Sequence, residues 1–195
     1  MRKGIIVAVS AVLLVGMGLM ASAWTAAQAG QTINTTQQVG IWVNGEGKVT
    51  DITLTKGARL GATVAFGGPL MATLTGEMHY GLVADIKEGT DRVRAVGGLV
   101  FQLHAGTGGG KLSVGAGARA RVEEPDFHGT VGAALEISRA RTWGSPLGTE
   151  PGITYLGPEL GLEIKRVNVE LGVLARIGGD PGAGAVFSWS IGWRL

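Results

Sequence analysis

The sequence predicts an all-β fold, a closed antiparallel up-and-down β-barrel of about ten strands. Eight strands plus an N-terminal extension is the alternative. Three observations predict this class. Apolar and polar residues alternate along most of the chain after residue 35, which is the period of a half-buried strand. Short glycine-containing connectors separate the alternating segments, as in hairpins. Glycine makes up 35 of 195 residues, and glycine disfavours long helices.

The first 29 residues have the organisation of a secretory signal peptide. Arg2 and Lys3 precede an uncharged, largely apolar run over residues 4–20. Two small-x-small sites follow, at residues 21–23 and 27–29, and they are typical of signal-peptidase cleavage. We expect cleavage after Ala29, which leaves residues 30–195 as one domain. An uncleaved transmembrane anchor is the alternative, because the apolar run is long enough to span a bilayer.

Seven alternating segments follow from residue 70 onward. In residues 70–84 the even positions are mostly apolar, while the odd positions are polar or small and include Glu77 and His79. Side chains two residues apart share one face of a strand, so this segment has one apolar and one polar face. The same pattern recurs over residues 92–105, 111–122, 127–139, 158–164, 167–177 and 185–195.

The strand count depends on the region before residue 70. Residues 57–66 form an eighth alternating segment, and residues 39–44 and 48–55 resemble a hairpin around residues 45–47. One long strand through Lys56 would place a lysine on the apolar face, which costs about 2–4 kcal/mol near a bilayer midplane. A turn at Lys56 and Gly57 avoids that cost. The sequence therefore favours ten strands.

The distribution of charge between the two faces favours a membrane barrel. Charged residues share a face with Gly, Ser and Thr, whereas the opposite face is aliphatic and aromatic over about ten residues in most segments, the length of a tilted transmembrane strand. Aromatic residues near the strand ends are typical of interfacial girdles; they are Tyr80, Phe101, Phe127 and Trp193. The same alternation also describes a soluble β-protein with its apolar face inside, and that alternative stays open.

The mature chain, with its final segment Phe187–Leu195, resembles the small bacterial outer-membrane barrels of the OmpA-transmembrane, OmpX and OmpW kind. The resemblance implies a Gram-negative outer-membrane location, contact with outer-membrane lipids, and folding by periplasmic chaperones and the barrel-assembly machinery. The assembly signal it implies comprises Phe187, Trp189, Trp193 and Leu195. Family members usually end in an aromatic residue, whereas this chain ends in Leu195 with Trp193 two residues earlier.

The polar face predicts a network of charged side chains inside a narrow barrel, paired across strands. A tight turn at residues 67–69 would place Arg59 opposite Glu77, and Glu163 would face Glu170 across the turn at Lys165 and Arg166. The predicted interior polar network consists of Arg59, Glu77, His79, Arg94, His104, Arg119, Arg121, His128, Glu136, Glu159, Glu163, Glu170, Arg176 and Arg194.

Composition and motifs exclude several classes of function. There is no cysteine, so thiolate metal sites and disulfides are ruled out. Without Arg2 and Lys3, 15 basic residues balance 15 acidic ones, which argues against nucleic-acid binding. Residues 106–111 hint at a phosphate loop, but Ala105 and Leu112 break that motif, so a hairpin turn is the better interpretation.

Two weak chemical sites remain in the sequence. Glu77 and the three histidines could bind a metal, but their spacing is not that of a ligand set. A hydrolase using His128 or Ser138 has no local motif. No catalytic residue, metal site or cofactor is therefore predicted.

The resulting functional prediction is a non-enzymatic outer-membrane barrel, structural or forming a narrow, porin-like pore. A lipid-modifying enzyme of the deacylase or phospholipase type is the alternative. An adhesin acting through the loops around Trp143 and Asp180 is a further one.

Overall fold

The computed structural model describes residues 37–38, 41–42, 49–88, 91–124, 127–179 and 184–195. The signal peptide predicted over residues 1–29 and the hairpin turn predicted over residues 45–47 lie outside these residues. The described chain is built from antiparallel strands: β1 (Gln37–Gln38), β2 (Ile41–Trp42), β3 (Val49–Gly68), β4 (Met71–Glu88), β5 (Asp91–Gly106), β6 (Gly109–Glu124), β7 (Phe127–Thr142), β8 (Thr154–Ile164), β9 (Val167–Gly178) and β10 (Ala185–Arg194).

Eight of these strands form a closed ring. Strands β3 to β10 pair in sequence order, and β10 pairs back onto β3 from Trp189↔Gly68 to Arg194↔Thr63. Closure removes the free sheet edges along this stretch. The all-β prediction is confirmed, but the count of ten ring strands is wrong. Strands β1 and β2 have two residues each and pair only with β3, so the eight-strand alternative matches the ring.

The turn predicted at Lys56 and Gly57 is also wrong. Strand β3 continues through this point, with Lys56 exposed and paired across from Leu82. The pairing of β3 with β10 reaches only to Thr63, so Lys56 lies beyond the closed part of the ring. An outward lysine there does not occupy the middle of the apolar surface, and the strand can stay extended.

The ring has two different ends. At the first, here called the terminal end, lie the end of β10 and the β8–β9 turn at Lys165 and Arg166. At the other, here called the loop end, residues 143–153 connect β7 to β8. This connection folds over the loop end, where the Leu147 amide donates to the Pro69 carbonyl at 3.0 Å and the Trp143 amide to the Gly108 carbonyl at 3.1 Å. Strands β3 to β7 extend past the other strands at the terminal end.

The outer face of the ring is apolar and the inner face is polar. Outward side chains such as Leu60 and Leu135 are 80% and 64% exposed, whereas the inward carboxylates Glu159 and Glu163 are each 3% exposed. This is the reverse of a water-soluble fold, in which apolar side chains are buried and charges lie in solvent. Within the described residues, helices that are long and apolar enough to span a membrane do not occur.

An apolar layer fills the interior at the loop end. Ala140, Ile153, Tyr155 and Leu174 form a buried cluster, and Val186 packs against it. The Tyr155 hydroxyl lies 2.5 Å from the hydroxyl of Thr149, which ties the β7–β8 connection to the ring. The buried carboxylates of the interior lie between this cluster and the terminal end, at Glu77, Glu136, Glu159, Glu163 and Glu170.

Candidate functional site, a buried polar network inside the ring

The first group of inward charges is an arginine cluster formed by Glu77, His79, Arg119, Glu163 and Arg194. Arg119 donates to both carboxylate oxygens of Glu77, at 2.5 Å and 3.1 Å, and also pairs with Glu163. Arg194 Nη1 lies 3.3 Å from Glu77 and 3.2 Å from Glu163. Two guanidinium groups therefore neutralise two carboxylates, the arrangement in which buried charges are tolerated.

Small residues make room for these long side chains. A Cβ atom at Gly61 would overlap the guanidinium of Arg194, so Gly61 provides the space into which Arg194 extends. Strand β10 therefore contributes a cation from its last residue, and that cation reaches the carboxylates of β4 and β8. The arginine cluster therefore connects strands β4, β6, β8 and β10 across the interior.

The second group is a lysine cluster centred on Lys111. Its Nζ donates to Glu170 and pairs with Glu159, each at 2.8 Å. The Ser188 hydroxyl donates to the other oxygen of Glu159 at 2.5 Å. All four residues are less than 7% exposed. Lys111 therefore links β6 with β8 and β9 across the interior.

A directional chain of hydrogen bonds lies beside the lysine cluster. Gln102 donates its amide N–H to Glu136 at 2.9 Å, and its amide oxygen accepts from His104 Nε2 at 2.9 Å. The Thr75 hydroxyl, 2.8 Å from Nδ1 of His104, is then placed to donate. Because the Gln102 amide oxygen can only accept, Nε2 of His104 carries a proton, and in the neutral ring Nδ1 accepts from the Thr75 hydroxyl. The chain ends on a carboxylate whose described partner is an amide and not a cation.

The interior holds little free space. One small cavity of about 20 Å³ lies beside Glu77, His79, Arg119, Glu163 and Asn168, enough for about one water molecule. Ligand pockets usually measure about 300–1,000 Å³. Among the described residues, His79 Nδ1, Arg119 Nε and Glu163 Oε1 are buried polar atoms without a hydrogen-bond partner. The cavity is therefore too small for an organic substrate.

Most of the sequence-predicted interior residues come together in these clusters. The network contains Glu77, His79, His104, Arg119, Glu136, Glu159, Glu163, Glu170 and Arg194. Arg94 and Arg121 are instead 55% and 63% exposed and pair with Asp85 and Glu123. The reason is that they lie where β4 to β6 extend beyond the closed ring, so their inward positions are open to solvent.

Three further predicted residues also lie outside the clusters. His128 was expected in the interior but is exposed near the start of β7, which is part of the same extension. Arg59 is half-buried near the terminal end. Arg176 is half-buried toward the loop end and has an interaction partner there.

Two predicted registers are wrong, each by two positions. Arg59 lies opposite His79, and Glu77 lies opposite Gly61, because the β3–β4 turn is centred one residue later than expected, with Gly67 opposite Met71. The turn predicted at Lys165 and Arg166 is confirmed, but a turn of only these two residues pairs Ile164 with Val167, so Glu163 lies opposite Asn168 and not Glu170. Each carboxylate instead reaches a cation on a strand that is not its neighbour.

Sequence reasoning missed Lys111, the centre of the lysine cluster. It lies at the end of the glycine-rich segment that hinted at a phosphate loop, and the interpretation of that segment as a hairpin turn is confirmed, with Gly106 opposite Gly109. The signal that could have identified Lys111 was its position in the two-residue alternation along β6. Lys111 shares the odd positions of β6 with Ser113 and Arg119, which are both buried.

The arrangement offers little of what the metal and hydrolase alternatives require. Where side chains are described, groups of three or more His, Asp or Glu positioned to hold a metal do not occur. Ser138 is fully buried against Ser113, with the two hydroxyls 2.7 Å apart. His128 lies ten positions away on the same strand, about 33 Å along it, so the two cannot act as a nucleophile–base pair.

The residues of the predicted assembly signal lie on the outer face of β10 and at its end. Phe187, Trp193 and Leu195 are 59%, 52% and 74% exposed. Trp189 is half-buried and packs edge-to-face on Phe66, with ring centroids 6.2 Å apart. This contact joins the last ring strand to the first.

Comparison with known proteins gives no relative: no family model, no curated protein and no solved structure matches this chain. The geometry of the ring and its interior is thus the basis for any functional proposal.

Proposed function

We propose that this chain is a secreted bacterial outer-membrane β-barrel with a structural, non-conducting role. The observation that carries the proposal is the inversion of the two faces around a closed ring. Large apolar side chains are exposed on all eight ring strands. A continuous apolar surface of this size is an aggregation hazard in water, whereas in a bilayer it contacts acyl chains.

The closed interior supports a structural role over a porin-like pore. The arginine and lysine clusters are buried and paired, and the apolar cluster around Tyr155 fills the loop end. An eight-stranded barrel has an interior just wide enough to be filled by side chains. Ions crossing this interior would have to displace paired charges, so we expect no measurable conductance.

The first test is the location and state of the full-length protein. It should resist extraction with salt or carbonate from the outer-membrane fraction, and its gel mobility should shift when the SDS sample is heated. Planar-bilayer recordings on the same material should show no channel steps. Extraction by carbonate, without a mobility shift, would identify a soluble protein and overturn the proposal. Regular conductance steps would overturn its non-conducting part.

A pair of variants separates a lipid-facing surface from a water-facing one. Leu135→Arg places a charge on the outer face of β7, where Leu135 is 64% exposed. At a bilayer midplane this costs about 2–4 kcal/mol, whereas a water-exposed surface tolerates it within about 0.5 kcal/mol. Leu147→Arg in the β7–β8 connection is the matched control, and it should have little effect on the unfolding free energy in vesicles.

A lipid-modifying enzyme is less well supported. Its candidate groups Ser138 and His128 lie far apart, and the interior cavity beside Glu77 holds only about one water molecule. For the adhesin alternative, Trp143 is 45% exposed at the loop end, while Asp180 lies outside the described residues. Turnover of phospholipid or lipid A by the purified wild-type protein would reverse this ranking.

A further inference from the structure

Two arginines interrupt an otherwise apolar outer face. Among the outward side chains that the structure describes on the eight ring strands, the charged ones are Lys56, Arg139 and Arg141. Lys56 lies in the part of β3 beyond ring closure. Arg139 and Arg141 are consecutive outward residues of β7 at the loop end, about 7 Å apart along the strand.

The surroundings of this arginine pair are apolar. Arg139 lies between Leu112 on β6 and Leu156 on β8, which are 53% and 40% exposed. Arg141 lies beside Gly110, and the indole of Trp143 lies over that glycine. The two arginines therefore lie at the loop-end margin of the apolar surface, next to the exposed indole of Trp143.

The arginine pair is not explained by the fold itself. Both side chains are exposed, and within the described part of the chain neither lies within ion-pair distance of a carboxylate. Arg119 and Arg194 in the interior, in contrast, each have carboxylate partners. Two neighbouring cations without internal partners repel each other, and an external anion would remove that repulsion.

We propose that Arg139 and Arg141 form a binding site for the phosphate of an anionic lipid at the loop end. This inference rests on the proposed function, because only a membrane-embedded ring places lipid there. The guanidinium groups match phosphate oxygens in geometry and charge. Leu112 and Leu156 provide the apolar surface for the acyl chains, and Trp143 lies at the headgroup level, where indoles are enriched.

Native mass spectrometry of the full-length protein in detergent micelles tests the site. The probes are phosphatidylglycerol and phosphatidylcholine with identical acyl chains. The wild type should retain phosphatidylglycerol in preference to phosphatidylcholine. Arg139→Gln/Arg141→Gln should weaken phosphatidylglycerol binding by roughly 30-fold, the loss expected for two cations near an anionic headgroup, and leave phosphatidylcholine binding unchanged.

The matched control removes two positive charges from elsewhere. Lys56→Gln/Arg166→Gln changes the net charge equally, but both residues lie toward the terminal end, so phosphatidylglycerol binding should stay within twofold of the wild type. An equal loss in both double variants would mean a general charge effect and would overturn the proposal. Equal retention of the two lipids by the wild type would overturn it too.

Two further readouts separate the possible sources of failure. Inorganic phosphate at millimolar concentration should not displace the lipid; displacement would assign the site to free phosphate instead. Heat-modified mobility is measured on each preparation. A protein that shows the shift but no lipid preference refutes only this inference, whereas a protein without the shift refutes the proposed membrane barrel as well.

Discussion

Replacement of Lys111 by methionine tests whether the buried charges hold the ring together. Lys111 contacts Glu159 and Glu170 at 2.8 Å each, and its side chain is 4% exposed. Each charge-assisted hydrogen bond contributes about 1.5–3 kcal/mol. Removing one partner of a buried ion pair typically costs about 3–5 kcal/mol, because an uncompensated charge remains. We expect Lys111→Met to lower the unfolding free energy by about 3–5 kcal/mol.

Urea unfolding in lipid vesicles, followed by tryptophan fluorescence and by heat-modified gel mobility, measures this change. Lys56→Met is the control at an exposed position and should change the free energy by no more than about 0.5 kcal/mol. The triple variant Lys111→Met/Glu159→Gln/Glu170→Gln also removes the two carboxylates that the loss of Lys111 leaves unpaired. It should recover at least half of the lost unfolding free energy. A loss under about 1 kcal/mol for Lys111→Met, or no recovery in the triple variant, would refute the reasoning.

Three further substitutions test how the ring is packed, each by the same urea unfolding measurement unless stated. Gly81→Val should destabilise the ring by at least about 2 kcal/mol, because a Cβ atom at Gly81 meets the backbone of β5. The control Gly76→Val should be nearly neutral, because the space around Gly76 is open. Equal effects of the two substitutions would contradict the close approach of the backbones at Gly81. Gly61→Val should cost about 1–3 kcal/mol by displacing Arg194, and an unchanged stability would show that this arginine does not need the space. Tyr155→Phe removes the hydroxyl contact to the β7–β8 connection, about 1 kcal/mol, and should speed proteolysis within residues 143–153; an unchanged cleavage rate would show that the contact does not hold the connection.

The alternation of residue types was sufficient to predict the strands and their faces. From residue 70 onward every predicted segment is a strand. The reason is that successive side chains of a strand point to opposite faces, whether a face contacts lipid, water or protein. The same signal identified Glu77, Arg119 and Glu163 as residues of one polar face. Which side of the sheet faced inward was decided by ring closure, which buries only one face.

The pairing partners needed the tertiary structure. A turn that shifts by one residue changes the register by two, so Arg59 pairs across from His79 and not Glu77. Sequence neighbours cannot identify contacts across the interior, such as Lys111 with Glu170, because those strands are separated by two others in the ring.

What the sequence determined by itself was the set of strands, the polar and apolar faces, and the residues available for an internal network. What the tertiary structure decided was the number of strands in the ring, the ends that extend beyond it, and the pairing of each charge. The physical reason is that alternation is a local property of each strand, whereas closure depends on where β10 meets β3. That meeting extends only from Trp189 to Arg194; it leaves Arg94, Arg121 and His128 outside the enclosed interior and places Arg119, Arg194, Glu77 and Glu163 within reach of one another.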